Sequence, residues 1–226
     1  MTVDATSQPA STARRPSAMW RFVRRNVTLV VGLTILAIML LVAILAPFIA
    51  GDALTMKPVQ RLKAPSEAFW FGTDQLGRAV FARTLWGAWI SLLVGLSVAA
   101  LSVIIGLVIC LLAGSVRWVE AVVMRFRDGM MAIPSILLAI AMVSLFGASV
   151  LIVIIAIVIP EVPRVVRLVR AVVMATREQP YVEAAVAGGA KWWKVLVRHI
   201  LPPTIPPLIV QATYICASAI LVEAAL

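Results

Sequence analysis

Tyr181-Val182-Glu183-Ala184-Ala185, followed by Gly189 and then by Arg198-His199-Ile200-Leu201-Pro202, forms a polar island between two long apolar segments. Within it Val182, Val186, Gly189, Trp193, Leu196 and Ile200 step by four, three, four, three and four, the spacing of one helical stripe. Lys191, Lys194 and Arg198 fall on another face. Gly188-Gly189 interrupts the pattern at about 1 kcal/mol per glycine relative to alanine, so two short helices with a bend between them are expected. Glu183 lies in the first turn, where a carboxylate favours the positive end of the helix dipole. Ala184 and Ala185 keep that turn thin enough to enter a groove on a partner. A basic, tryptophan-containing helix also suits a bilayer surface, and the stripe alone leaves both readings open.

The segments around the island set the class of the molecule. The chain has 226 residues, 62% hydrophobic and 13% charged, whereas soluble domains are nearer half apolar and about a quarter charged. This is the composition of a membrane protein, and the expected fold is all-α. The net charge of +10 sits in short basic clusters beside apolar spans with few aromatics interleaved. That is the positive-inside pattern, and no nucleic acid is expected as a partner. Cys110 and Cys216 lie inside apolar segments without a second ligand at metal spacing, and His199 is the only histidine. Neither a disulfide framework nor a metal site is indicated.

Residues 1–18 are rich in Ser, Thr, Ala and Pro and are expected to be a disordered tail on the cytoplasmic side. Residues 19–26 interleave Trp20, Phe22 and Val23 with Arg21, Arg24 and Arg25, the pattern of an interfacial helix against membrane lipid. The uncharged run 27–50 matches the roughly 20 residues that one helix needs to cross the hydrocarbon. Residues 51–83 carry charges, Pro58 and Pro65, and read as a water-exposed external loop. Residues 84–226 form the core: an uncharged stretch from Thr84 to Val116, two spans at 124–145 and 149–169 joined by a turn at Phe146-Gly147-Ala148-Ser149, a polar loop at 170–202, and a last apolar stretch to Val222. Gly87, Gly95 and Gly106 let neighbouring helices approach. Pro202, Pro203, Pro206 and Pro207 are expected to break or kink the start of the fifth span.

Orientation follows from the basic residues near membrane ends. The N-terminal region to Arg25 holds five arginines, the break at 117–128 holds three, and 161–199 holds Arg164, Arg167, Arg170, Arg177, Lys191, Lys194 and Arg198. Five spans put all three on the cytoplasmic side and the 51–83 loop outside.

Four ordered motifs carry a resemblance. Glu183-Ala184-Ala185, Gly189 and Leu201-Pro202 resemble the E-A-A, three residues, G, then L-P loop of bacterial ATP-binding-cassette importer permeases. The usual Ile two before Leu is His199, and the ending Arg198-His199-Ile200-Leu201-Pro202 is similar to that of the peptide-importing branch. Phe71-Gly72-Thr73-Asp74-Gln75-Leu76-Gly77-Arg78 resembles the F-G-T-D-x-L-G-R-D signature in the external loop of the C-type subunit of dipeptide, oligopeptide and nickel importers, with Ala79 in place of the final Asp. Asp128, with Ile133-Pro134-Ser135, is similar to the D-x-x-x-x-I-P-S start of the third span, and Arg167-Leu168-Val169-Arg170 to the run-up to the coupling loop.

The resemblance implies a type I importer transmembrane domain that supplies no chemistry of its own and needs no cofactor in this chain. It implies a second homologous permease subunit, ATP-binding-cassette ATPase subunits docked on the 181–202 loop, and an external substrate-binding protein that delivers peptide, nickel or another small solute. Family members continue after E-A-x-L with S-F-L-G-L-G, an external segment and a final span. The chain ends at Leu226, so about five spans are expected, without the last helix of the usual core.

The residues leave other classes open. No G-x-x-x-x-G-K-S/T, G-x-S-x-G or H-E-x-x-H is present, so no ATP site of that kind and no enzyme of those classes is read. Glu161 and Glu223, both taken to lie near the ends of spans, suit structural or interfacial roles, or a proton relay in a carrier without an ATPase. A non-transporting membrane regulator is the third class. Asp128 is an acid at a helix start, Arg164, Arg167 and Arg170 mark the cytoplasmic boundary, and Asp74 and Arg78 either face the delivering protein or pair to hold their loop.

Overall fold

The computed structural model describes residues 25–51, 53–113, 125, 129 and 134–226. The tail, most of the interfacial segment, and Asp128 lie outside the described residues. Among those described the chain is helical, with two isolated β-bridges in the 51–79 loop and no strand. The helices are α1 (Val27–Ile49), α2 (Val80–Ala113), α3 (Ser135–Phe146), α4 (Val150–Arg177), α5 (Pro180–Ala187), α6 (Trp192–Val195) and α7 (Leu201–Ala225). A π-helical turn, Leu196–Ile200, joins α6 to α7.

Three helical stretches among the described residues are long and apolar enough to cross a membrane: Val27–Ile49, Val80–Leu111 and the continuous rod Trp192–Ala225. α3 is apolar but has 12 residues. α4, at 28 residues, is long enough but carries Glu161, Arg164, Arg167, Arg170 and Arg177. Pro134 caps the start of α3, its carbonyl accepting from Leu137 and Leu138. Gly147, at φ 88°, turns the chain between α3 and α4, and the Ser149 hydroxyl caps α4 by accepting from the Ile152 N–H.

Several boundaries differ from the sequence reading. α2 begins at Val80, inside the segment read as loop, and α4 runs on to Arg177, well past 169. Glu161 is therefore the middle of a helix rather than its end. The prolines of α7 do not break it. Pro202 and Pro203 stand at its start, directly after the π-helical turn, and Pro206 and Pro207 follow inside the helix. The irregularity falls just before them, in the π turn.

α2, α4 and α7 form the core, with Val94 and Val98, Val158, Val165 and Val169, and Ile215 and Ala219 buried between them. α2 and α7 are antiparallel: Ser91 meets Glu223, while Gly95 lies against Cys216 and Ile220. Two glycines make α2 the hub. A Cβ at Gly95 would stand 2.8 Å from Ile220 Cγ1, and one at Gly106 would stand 2.7 Å from Val165 Cβ. The helices approach through the missing side chains, the close contact that drives association where lipid offers no hydrophobic contrast. α1 packs on this core through α2, burying Ala43 and Ala46 and leaving Leu33, Ile38, Leu41 and Phe48 outward. An apolar exterior of this kind suits acyl chains.

Candidate functional site

The polar island folds as a compact two-helix segment between the ends of α4 and α7. Pro180 opens α5 at its first turn, with Gln179 as the cap residue, and Glu183 sits in that turn. α5 ends in a Schellman motif. The Gly189 N–H donates to the Val186 carbonyl at 3.0 Å, the Ala190 N–H to the Ala185 carbonyl at 3.2 Å, and Gly189 takes φ 77°. Open space surrounds Gly189, so the left-handed backbone alone requires glycine there. Ala185 and Ala190, the two ends of the motif, both pack against the core.

This turn resets the helical phase and corrects the single stripe read from the sequence. Val182, Leu196 and Ile200 do face the core, joined by Val195. Val186 is 53% exposed and Trp193 64% exposed, and Gly189 is exposed as well. A stripe extrapolated through Gly188-Gly189 fails because a Schellman turn is not a continuation of the helix. The outcome is an apolar outer face. A groove of about 430 Å³ is lined there by Arg177, Val182, Glu183, Val186, Ala187 and Trp192. The Arg177 guanidinium lies 4.5 Å from the Trp192 ring centroid, a cation–π contact across the groove.

Tyr181 and His199 close the segment on itself, their rings stacked at 6.3 Å and 26°. His199 thus occupies the position of the usual Ile with a flat side chain facing Tyr181. Ala184 and Arg198 are exposed, Leu201 is half-buried, and Pro202 is exposed in the first turn of α7. Arg167 is exposed and Arg170 half-buried on α4.

The Phe71-to-Arg78 motif is a knot in the loop before α2. The Thr73 hydroxyl donates to the Gln60 carbonyl and accepts from the Lys63 N–H at 2.8 Å. Asp74 Oδ1 accepts from the Leu76 and Arg78 N–H groups at 2.8 and 2.9 Å, and Arg83 Nη1 donates to Asp74 Oδ2 at 2.7 Å. The ion partner of Asp74 is therefore Arg83, one turn into α2, rather than the Arg78 side chain. Those donors hold its carboxyl below the usual carboxylate range, the Arg78 N–H foremost. Gly77, at φ 72°, passes so close to Lys57 that a Cβ would fall 1.9 Å from its carbonyl oxygen. A Cβ at Gly72, also at φ 72°, would fall 2.5 Å from the Lys63 carbonyl oxygen. Phe71 packs edge-on to Phe81, with centroids 5.4 Å apart, and anchors the knot to α2, while Leu76 stays exposed.

The carboxylates of α4 and α7 have separate partners. Glu161, 3% exposed, pairs with Arg164 one turn on. Glu223 Oε2 accepts from the Ser91 hydroxyl at 2.8 Å. The Val162 carbonyl faces Gly106, so Glu161 lies near that level of α2. At 1.5 Å per residue the two acids are about 20 Å apart along α2, too far to share a proton directly. Sequence reading missed the Ser91–Glu223 and Asp74–Arg83 pairs because neither has a helical spacing to mark it.

An all-helical bundle with an apolar exterior, lipid-length helices and a folded polar segment between two of them defines an integral membrane protein. Residues 100–226 match the family described as "Binding-protein-dependent transport system inner membrane component", and residues 17–65 match "N-terminal TM domain of oligopeptide transport permease C". The chain belongs to the family of binding-protein-dependent transport system inner membrane components, with the type I importer membrane fold. It is 52% identical over 206 residues to the "Probable peptide ABC transporter permease protein y4tQ" of Sinorhizobium fredii, covering 91% of this chain and 71% of that protein. It is 40% identical over 232 residues to the "Dipeptide transport system permease protein DppC" of Alkalihalophilus pseudofirmus, covering 100% and 76%. With the "Probable D,D-dipeptide transport system permease protein DdpC" of Escherichia coli the identity is 37% over 199 residues, covering 87% and 67%.

Proposed function

We propose that this protein is a permease subunit of an ATP-driven peptide importer, forming half of the translocation pathway with a second, homologous permease. The relatives named for peptide and dipeptide transport support the substrate class. Segment 178–202 docks a separate ATPase on the cytoplasmic side, the N-terminus shares that side, and the knotted loop faces the delivering binding protein. The basic residues around α5 and α6 favour this orientation.

The observation that carries the docking reading is the outward apolar face left by the Schellman turn. Val186 and Trp193 are exposed beside Glu183 and the Arg177–Trp192 groove, on a segment whose other face is locked into the core. Such a face is rigid, apolar at its centre and charged at its rim, the pattern of a protein interface. Because α4 and α7 leave its two ends, a pull on the segment moves both helices. Transport then requires that nucleotide on the ATPase and solute in the bundle bias the same two packings.

Glu183→Lys reverses the charge at the start of α5 and adds bulk at the groove edge. Co-purification of the ATPase with the mutant is expected to fall at least tenfold. Undiminished co-purification would overturn the docking role.

A further inference from the structure

Between α4 and α7 lies a cavity of about 390 Å³ lined by Arg164, Arg167, Leu168, Ala171 and Gln211, within the roughly 300–1,000 Å³ range of small-molecule sites. Its charges do not balance. Arg164 is engaged by Glu161. Arg167, exposed on the same helix, has no ion pair or hydrogen bond among the described residues. Glu161, Arg164 and Arg167 together leave one positive charge, about 26 Å along α4 from its start. A guanidinium without a counter-ion at the wall of a cavity suits an anionic group of a ligand.

We propose that this cavity receives the C-terminal carboxylate of a peptide in transit, with Arg167 as anchor and Arg164 and the Gln211 amide as further donors. The proposal rests on the peptide-importer reading. A single carboxylate brings the local charge to zero, and a guanidinium fork matches its two oxygens. Leu168 and Ala171 offer an apolar strip for the last side chain of the peptide. Arg167 comes from α4 and Gln211 from α7, the two helices that leave the docking segment. A ligand held by both prefers one spacing of them, the differential affinity that coupling requires.

Equilibrium binding of alanylalanine and of its C-terminal amide to the purified permease–ATPase complex, without the external binding protein, tests the site. The wild type is expected to bind the acid at least tenfold more tightly than the amide. Arg167→Gln is expected to bind the acid as weakly as the amide, and Arg167→Lys to recover part of the difference. Gln211→Leu, expected to weaken acid binding several-fold, serves if Arg167→Gln fails to assemble. Equal wild-type affinity for acid and amide, or acid binding unchanged in the assembled variants, overturns the carboxylate site. A preference for the acid that appears only once phosphatidylglycerol is stripped from the complex assigns Arg167 to a lipid headgroup and equally overturns it. Uptake by the complete wild-type importer in liposomes is measured separately. Uptake of neither peptide form overturns the peptide-importer reading itself, whereas uptake together with indifferent binding overturns the site alone.

Discussion

The Ser91 hydroxyl donates a 2.8 Å hydrogen bond to Glu223 Oε2, tying the first third of α2 to the last turn of α7 across 132 positions. Both residues are half-buried, so loss of the donor leaves a partly buried carboxylate short of a partner. Ser91→Ala is expected to lower stability by about 1.5–3 kcal/mol, the range for hydrogen bonds to charged groups. Glu223→Gln, which keeps an acceptor, is expected to cost less. Thermal unfolding in detergent checks both, and an unchanged midpoint in Ser91→Ala would remove this bond from the account of how α7 is held.

Gly188 and Gly189 are adjacent but not equivalent. Gly188 is the cap of α5 at φ −73°, whereas Gly189 is left-handed at φ 77°. Gly189→Ala is expected to cost about 1–2 kcal/mol locally, the penalty for an L-residue in that conformation. Gly188→Ala meets no such penalty. The first substitution should therefore reduce ATPase co-purification, and the second should leave it near wild type. Equal effects of the two would mean that both glycines act only as loose hinges and that the Schellman geometry is irrelevant to docking.

That contrast also shows how far the sequence could be read. The helical class, the turn at Gly147 and the bend at Gly188-Gly189 were legible because composition and glycine pairs act locally. The phase of the helix after the bend was not, since the rotation introduced by a left-handed residue is set by φ and ψ rather than by spacing. Val186 and Trp193, placed by periodicity on one stripe with Val182, Leu196 and Ile200, part from those core-facing neighbours for that reason. The knot of the 71–78 loop was visible only as a motif. Its cause, the close passage of Gly77 against the Lys57 carbonyl, joins positions far apart in the chain. Pro202 and Pro203 misled in the opposite direction, because a proline at a helix start is compatible with the helix.

Asp74 sets a pH limit on the loop. Its carboxyl is held below the ordinary value of 3.8, first by the Arg78 N–H and then by the Leu76 N–H and Arg83. A depressed folded value means that the unfolded loop binds the proton more readily. The stabilisation is complete above the unfolded value and is lost as pH falls through the lower, folded one. The loop is thus expected to stay closed at about pH 5 and above and to loosen only as pH falls below the ordinary carboxyl value of 3.8. Asp74→Asn keeps an acceptor for the two backbone N–H groups but removes the Arg83 ion pair and the titration. Limited proteolysis at 51–79 from about pH 2.5 to about pH 7, either side of the carboxylate range, would measure this. Acid opening that persists unchanged in Asp74→Asn would assign it to another group.

Gly106 and Gly95 make opposite contacts of unequal stiffness. At Gly106 the obstacle to a side chain is Val165 Cβ at 2.7 Å, an atom fixed to the backbone of α4. At Gly95 the nearest atom is Ile220 Cγ1 at 2.8 Å, which a rotamer change can move, although the Cys216 carbonyl stands 3.1 Å away. Gly106→Ala therefore forces α2 and α4 apart, at a cost of about 1–3 kcal/mol for overpacking, and Gly95→Ala is expected to cost less. Val165→Gly opens the space that a Cβ at position 106 needs. The double variant Gly106→Ala with Val165→Gly is expected to be more stable than the sum of the two single losses predicts, because residues in contact couple. Additive losses in thermal unfolding would mean that α2 and α4 do not meet at this point in the membrane.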